Sequence, residues 1–439
     1  MTMRPAKSAS LALLALLSVA SCSFLDKDEK PPLKGERMSV LELQDKLEPD
    51  NAALKAEGFT PPAEWRNEFW PQAGGYPNHS MQNLQLNNGA LKKLWSSDIG
   101  QGGTDDMPLT AQPVVVDNRI FTLDTDSRLS AFDATTGKKI WDITVRPKGE
   151  EDPVIGGGAA YGGGVLYVTN GYDELLAIKP ADGNVFWRKN IGGPARGAPT
   201  ILDGRVFVST LDNRLLALNA ADGAQIWEHT GLSESAGLVG AASPAAARGI
   251  VVPGFSSGEI LALRVENGSV AWSDNLSGTR RLGNLDSIAD IKALPVLDKG
   301  LVIAISFSGK LVAIDERTGN RVWQREISGS NTPWLAGNHL FLLSQENQIV
   351  ALGRDTGSIR WVTKLPRMDG DDPITFVGPL LAGGRLFVFG TDGRVIETAP
   401  DTGKIIAEWD AGDDVTISPV IAGGVMYVLT EDGTLTAYR

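Results

Sequence analysis

The chain has 439 residues, with 50 glycines and a hydrophobic content of 42% that is enough to build a large core. Its formal net charge is -12, so its surface repels phosphate backbones, which argues against nucleic acid as a partner. The single cysteine, Cys22, excludes an internal disulfide and a cysteine-based metal or haem site, and the three histidines show no ligand spacing; we therefore predict no metal site and no cofactor.

Residues 1–21 have the parts of a removable signal peptide. Arg4 and Lys7 give the start of the chain a positive charge, and Leu11–Leu17 form a short apolar stretch. This stretch is too short to cross a bilayer as a stable helix. We therefore predict a secretory signal that is removed from the mature protein.

The small residues Val19–Ser21, just before Cys22, resemble the lipobox of bacterial lipoproteins. The resemblance implies cleavage before Cys22 and attachment of lipid to that cysteine, and several acyl chains hold a protein durably to a membrane. Ser23 follows where an aspartate usually marks inner-membrane retention, so the resemblance favours the outer membrane. The alternative is an ordinary secretory signal with a chance cysteine. Residues 22–84 are interpreted as a lipid-anchored tether and N-terminal segment.

One sequence skeleton then recurs six times: an alanine, a glycine six residues later, and a tryptophan four residues after the glycine. A seventh copy has Gly403 but Ala407 in place of tryptophan. Successive glycines are separated by 46, 40, 45, 51, 38 and 46 residues, which is the size of one four-stranded propeller blade. The six repeat tryptophans are Trp141, Trp187, Trp227, Trp272, Trp323 and Trp361.

The two ends of the repeat region predict how the ring closes. The last unit stops at Ala437–Arg439 and lacks its outer strand, whereas the stretch ending at Trp95 resembles such a strand standing alone. We predict that the strand of Trp95 completes the last blade. The fold class is therefore all-β: an eight-bladed β-propeller of four-stranded antiparallel blades over residues 85–439, closed by an N-terminal strand, with no long edge exposed.

The repeat resembles that of quinoprotein-type propellers, and the mature chain as a whole resembles the BamB family of outer-membrane assembly lipoproteins, with an added segment at Trp70–Gly75. The resemblance implies a non-catalytic scaffold of the β-barrel assembly machinery on the periplasmic face of the outer membrane. It also implies docking to the periplasmic domains of BamA, which assists the folding and insertion of outer-membrane proteins.

Two other functions remain open on the sequence. A periplasmic dehydrogenase dependent on pyrroloquinoline quinone would share the repeat, but the chain lacks the adjacent cysteines of many such enzymes and any insertion large enough for their calcium and quinone pocket. A cell-envelope propeller that binds a sugar or peptide ligand is the other alternative.

Two inter-blade segments, Leu232–Pro244 and Leu276–Pro295, are longer or more irregular than their equivalents. Charged groups mixed with apolar ones suit a protein interface better than a solvated loop, which is the alternative. The family resemblance places Leu238 and Asp290 at partner-contact positions. The charged residues of the second segment predicted to bind a partner are Arg280, Arg281, Asp286 and Asp290.

Overall fold

In the computed structural model, the described residues are 47–50, 59, 61–234, 238, 240, 242–277, 289–370 and 372–439. The predictions for the signal peptide, Cys22, Arg280, Arg281 and Asp286 fall outside these residues. The residues from Glu48 to Arg439 form one compact unit, and all its regular elements in the described ranges are β-strands. No helix in these ranges is long and apolar enough to span a membrane.

Eight four-stranded antiparallel sheets form the ring, and each sheet is one blade. Strand β1 is Lys93–Asp98, and blade one comprises β2 (Val114–Val116), β3 (Arg119–Leu123), β4 (Arg128–Asp133) and β5 (Lys139–Thr144). Blade two comprises β6 (Gly157–Gly162), β7 (Val165–Asn170), β8 (Glu174–Ile178) and β9 (Val185–Asn190). Blade three comprises β10 (Thr200–Leu202), β11 (Arg205–Ser209), β12 (Arg214–Asn219) and β13 (Gln225–Thr230). Blade four comprises β14 (Ala245–Ala247), β15 (Ile250–Val252), β16 (Glu259–Arg264) and β17 (Val270–Asn275).

The second half of the ring follows the same order, with one small additional hairpin. Blade five comprises β18 (Val296–Asp298), β19 (Leu301–Ile305), β20 (Leu311–Asp315) and β21 (Arg321–Arg325). Blade six comprises β22 (Trp334–Ala336), β23 (His339–Leu343), β24 (Gln348–Gly353) and β25 (Ile359–Lys364), and the hairpin β26 (Met368–Asp369) and β27 (Asp372–Pro373) follows it. Blade seven comprises β28 (Phe376–Ala382), β29 (Arg385–Gly390), β30 (Arg394–Thr398) and β31 (Ile405–Asp410). Blade eight comprises β32 (Val420–Ala422), β33 (Val425–Leu429) and β34 (Thr434–Tyr438), with β1 as its outer strand.

The ring closes through the pairing of β1 with β34. The two strands are antiparallel, with Trp95 opposite Ala437 and Asp98 opposite Thr434. This confirms the predicted blade number and the predicted closure by an N-terminal strand. The first and last parts of the propeller thus share one sheet, which leaves no open flank at the point where the chain begins and ends.

The repeat tryptophans lie on the outer strands and dock onto the next blade. Each indole lies over the turn glycine of that blade: a Cβ on Gly268, for example, would come within 2.7 Å of the Trp227 ring. Glycine is required there because its backbone has a positive φ and its missing side chain leaves room for the indole. Each Nε1 also donates to a carbonyl of the next blade, as in the bonds Trp95 to Ala134, Trp141 to Pro180, Trp187 to Ala221, Trp227 to Val265, Trp272 to Glu316, Trp323 to Arg354 and Trp361 to Pro400.

The junction between blades seven and eight is built differently. Ala407 occupies the repeat position, and Trp409, two residues later, packs its ring 5.1 Å from the ring of Tyr438. Its Nε1 donates to Glu397, which stands where the other blades have alanine and pairs with Arg385 at 2.6 Å. The third and fourth strands of blade eight come from opposite ends of the chain, so no turn glycine is present for a repeat tryptophan to cover.

Residues 61–87, called the plug segment here, run across one end of the central channel and contact the inner strand of every blade. In blades one to five, an inner-strand N–H donates to this segment. The five bonds join Val115 to Trp70, Tyr161 to Pro71, Ile201 to the Gln72 side chain, Ala246 to Pro77 and Leu297 to Asn78.

The same segment also reaches the remaining three blades. In blade six, Nε1 of Trp334 donates to the Gln82 carbonyl. In blade seven, the backbone N–H of Leu84 donates to the Leu381 carbonyl, and in blade eight the N–H of Gly423 donates to the Asn67 carbonyl. Inner strands have unpaired edges, and the plug segment supplies their hydrogen-bond partners. The plug segment runs across the boundary predicted at residue 85, since Arg385 of blade seven also donates to the Asn87 carbonyl.

Burial of His79 in the plug segment makes the stability of the fold depend on pH. Nδ1 of this buried side chain lies 2.7 Å from the Pro295 carbonyl, and burial lowers its pKa from 6.5 to about 4 despite that bond. The unfolded chain therefore binds this proton more readily than the folded one between those pH values, and stability falls as the pH falls through the window. We expect His79 alone to account for a loss of about 2 kcal/mol between pH 7 and pH 5.

Urea unfolding at the two pH values measures this loss. His79→Gln is expected to remove this contribution and so to make the pH dependence shallower; the remainder includes His339, whose pKa burial also lowers to about 4. His229→Gln, at a half-buried position, should change the pH dependence much less. An unchanged pH dependence in His79→Gln would contradict the assignment.

Candidate functional site

The antiparallel order of the blades defines two faces of the ring. The turns between second and third strands and the segments that join one blade to the next share one face, called the loop face here. The turns between first and second strands and the glycine turns that receive the tryptophans share the other. The described ends of both segments predicted to bind a partner, Leu232–Pro244 and Leu276–Pro295, follow an outer strand or precede an inner strand and therefore lie on the loop face.

A buried ion pair connects three segments of the loop face. Asp290 has 0% exposure, and both of its carboxylate oxygens accept hydrogen bonds from Nη2 of Arg196, at 2.8 and 2.9 Å. Arg196 belongs to the segment between blades two and three. The backbone N–H of Leu238, between blades three and four, donates to Asp290 at 2.6 Å. One carboxylate thus fixes the relative positions of three consecutive inter-blade segments.

This arrangement changes the interpretation of Asp290, which the family resemblance places at a partner-contact position. The structure places its carboxylate inside the protein, where it holds Arg196 and Leu238. Asp290 could therefore affect partner binding only indirectly, through the inter-blade segments that its carboxylate positions. Leu238 itself is half-buried, and of the predicted contact residues only these two fall within the described ranges.

A cavity of about 500 Å³ lies in the central channel on the loop-face side. Its walls are the residues that precede the inner strands of several blades, and its floor includes Trp70, Gly74 and His79 of the plug segment. Among the described residues that line it, none is aspartate or glutamate, and the charged ones are Arg196 and Lys292. Burial lowers the pKa of Lys292, and the nearby Asp290 opposes that shift.

The cavity does not fit the metal and quinone site of a quinoprotein enzyme. Calcium takes six to eight oxygen ligands and draws on carboxylates, which the described lining does not contain. Across the described part of the chain, no group of three or more His, Cys, Asp or Glu side chains could hold a metal ion. These residues therefore support no metal-assisted quinone step.

Arg196 and the plug segment are the parts of this site that sequence reasoning does not find. Arg196 lies outside the repeat and is 94 residues away from Asp290. The only local signal is its isolation as a single cation within the small-residue run Gly192–Ala198. The plug segment has no periodicity because its successive parts contact different blades.

Comparisons with known proteins agree with the fold. The family model described as outer membrane protein assembly factor BamB matches residues 83–161, 150–363 and 371–439. The assembly factor BamB of Yersinia pestis is 30% identical over 274 residues, which cover 61% of this chain and 70% of the relative. That of Salmonella typhimurium is 28% identical over 349 residues, which cover 78% and 88%.

An uncharacterized protein of Rickettsia conorii is 33% identical over 266 residues, 60% of this chain and 63% of the relative, so the alignment spans less than two thirds of that relative. The crystal structure of BamB from Moraxella catarrhalis superposes with a TM-score of 0.68 at 21% identity, covering 80% of this chain and 100% of that one. The quinohemoprotein alcohol dehydrogenase of Comamonas testosteroni gives a TM-score of 0.66 at 15% identity, covering 89% and 82%. At these identities both structures show the fold alone.

Proposed function

Because the chain belongs to the family of the outer membrane protein assembly factor BamB, we propose that it is a non-catalytic scaffold lipoprotein of the β-barrel assembly machinery. Lipid at Cys22 holds it to the periplasmic face of the outer membrane. Its loop face docks the periplasmic domains of BamA and so assists the folding and insertion of outer-membrane proteins.

The observation that carries the docking proposal is the rigid coupling of the inter-blade segments. Asp290 holds the segments of Arg196 and Leu238 in one arrangement, so a partner meets a preorganised surface. Preorganisation lowers the ordering cost of association. The sequence of Leu276–Pro295 also carries charged residues beside apolar ones, a mixture compatible with the polar rim and apolar core of interfaces between proteins.

We expect a photoreactive residue at exposed Ser277, on the loop face of blade four, to crosslink to BamA in intact cells. The matched control is exposed Asn267, at the glycine turn of the same blade on the opposite face, where no BamA crosslink is expected. Reversing the charge of Arg280 and Arg281 together should lower the Ser277 crosslink several-fold, because rim charges steer association. Equal crosslinking from both faces, or capture unaffected by the double reversal, would contradict the docking proposal.

A second candidate, a quinone-dependent dehydrogenase, draws on the likeness to quinohemoprotein alcohol dehydrogenase. The carboxylate-free lining of the cavity argues against it, since calcium would lack its ligands there. An enzyme of this class would purify with stoichiometric quinone and calcium. Detection of quinone and calcium in the purified native protein would contradict the scaffold proposal and support the dehydrogenase.

A further inference from the structure

We propose that the central cavity is a binding site for a carboxylate group, with Lys292 as its direct cationic contact and the buried Arg196 as a second positive charge in its wall. This site is separate from the docking of a partner on the inter-blade segments and would take a small ligand or the end of a flexible chain. A volume of about 500 Å³ lies within the range of ligand pockets, about 300–1,000 Å³.

The first argument is the sign of the charge. The chain carries a net charge of -12, yet the described residues that line the cavity include two cations and no carboxylate. Asp290 lies behind Arg196 and neutralises one of the two positive charges. The site therefore has a net charge of about one positive unit, which matches a carboxylate better than a doubly charged phosphate.

The second argument is that the ammonium group of Lys292 lacks a bonding partner. Its half-buried ammonium has no hydrogen bond or ion pair with the described residues; burial lowers its pKa, and the nearby Asp290 opposes that shift only in part. Removing a cation from water without a partner is costly. A carboxylate bound in the cavity would offset that cost, because the two charges would then meet in a region of low dielectric.

The third argument is a set of buried polar atoms without hydrogen-bond partners among the described residues. Three of them belong to side chains that line this one cavity: Nη1 of Arg196, Nε1 of Trp70 and Nε2 of His79. Arg196 uses only Nη2 for Asp290, so Nη1 keeps its donor capacity. Buried polar atoms are almost always paired, so a polar group bound in the cavity, or the water that it would replace, would complete the hydrogen bonding of these three.

The floor of the cavity indicates what else the ligand carries. Nδ1 of His79 faces the Pro295 carbonyl and therefore bears the proton, which leaves Nε2 as an acceptor on a neutral ring. The indole of Trp70 is a donor only. A group beside the carboxylate that both donates and accepts, such as a peptide amide, would satisfy both. The walls add hydroxyl and amide side chains from Thr110, Ser243, Asn331 and Thr332.

Calorimetric titration of the full chain tests the site with three probes. These are N-acetyl-trialanine with a free carboxylate, the same peptide with a C-terminal amide, and succinate. We expect the free-acid peptide to bind saturably and the amide to bind at least ten-fold more weakly. If succinate binds and the peptide does not, the carboxylate comes from a small free acid, and the site itself stands.

Substitutions at Lys292 provide the controls. Lys292→Met is expected to weaken carboxylate binding at least ten-fold, Lys292→Arg to retain it, and Lys189→Met, at an exposed outer-strand position, to leave it unchanged. Circular dichroism would verify that each variant is folded. The proposal is overturned if neither acid binds, or if folded Lys292→Met binds as well as the unsubstituted protein. Because no partner protein is used, that failure would leave the docking proposal untouched.

Discussion

Asp290→Ala is expected to lower the free energy of unfolding by about 3–5 kcal/mol, because it leaves a buried guanidinium without its counter-ion. The side chain of Arg196 is only 1% exposed, and both of its bonds to a carboxylate go to Asp290. The N–H of Leu238 would lose its acceptor at the same time. Urea unfolding followed by circular dichroism measures the loss as a shift of the midpoint without a change in slope.

Two controls separate burial of charge from loss of a contact. The double variant Arg196→Met with Asp290→Leu should recover most of the stability, because no charge remains buried. Asp142→Ala, which breaks the exposed ion pair with Arg128, should cost less than about 1 kcal/mol. If Asp290→Ala costs no more than Asp142→Ala, the structural role of the buried pair is wrong.

The stability result bears on how mutations of this position are interpreted. A variant at Asp290 that fails to capture a partner could fail because the inter-blade segments have moved, even though the carboxylate never touches the partner. Comparing the Asp290→Ala variant with the compensated double variant distinguishes the two cases. Restored capture in the double variant would show that the geometry of the loop face matters and the carboxylate itself does not.

The second large effect is expected at Trp361, where substitution by alanine should cost about 3–5 kcal/mol. The side chain is 3% exposed, its Nε1 donates to the Pro400 carbonyl at 3.1 Å, and its ring covers Gly403 of blade seven. Truncation removes this packing and leaves a cavity between blades six and seven. Urea unfolding of the intact chain measures the cost.

Trp187 provides the matched comparison, because it occupies the same repeat position between blades two and three but is only partly buried. Trp187→Ala should therefore cost clearly less than Trp361→Ala, since less apolar surface leaves water when the protein folds. Equal losses at the two positions would mean that the hydrogen bond to the next blade, which both tryptophans make, dominates over packing.

The architecture could be predicted because its determinants are local and repeated. Each alanine, glycine and tryptophan falls at a fixed distance within one unit, and strand geometry together with the positive φ of the turn dictates that spacing. The closing strand at Trp95 was recognisable since it carries the same tryptophan without the preceding unit. Even the missing tryptophan at Ala407 marked a real irregularity, although Trp409 as its replacement could not be foreseen.

The loop face and the plug segment could not be predicted in the same way. A charged residue in an irregular segment has the same sequence appearance whether it faces solvent or pairs with an arginine 94 residues earlier. The sequence therefore does not indicate that Asp290 is buried, and it does not single out Arg196. The plug segment contacts each blade through different residues, so no period in its sequence predicts these contacts, and its register is fixed only by the assembled ring.

The plug segment also imposes an order on the assembly of the molecule. Residues 61–87 and β1 leave the ribosome before any complete blade, yet Asn67 needs blade eight and β1 needs β34. The plug segment and β1 can therefore form their native contacts only after blade eight has been synthesised. A product cut short by a premature stop codon would leave this segment and the inner edges of its blades unpaired, open to proteases and to aggregation. The ring therefore closes only after the third strand of blade eight, β34, has been synthesised.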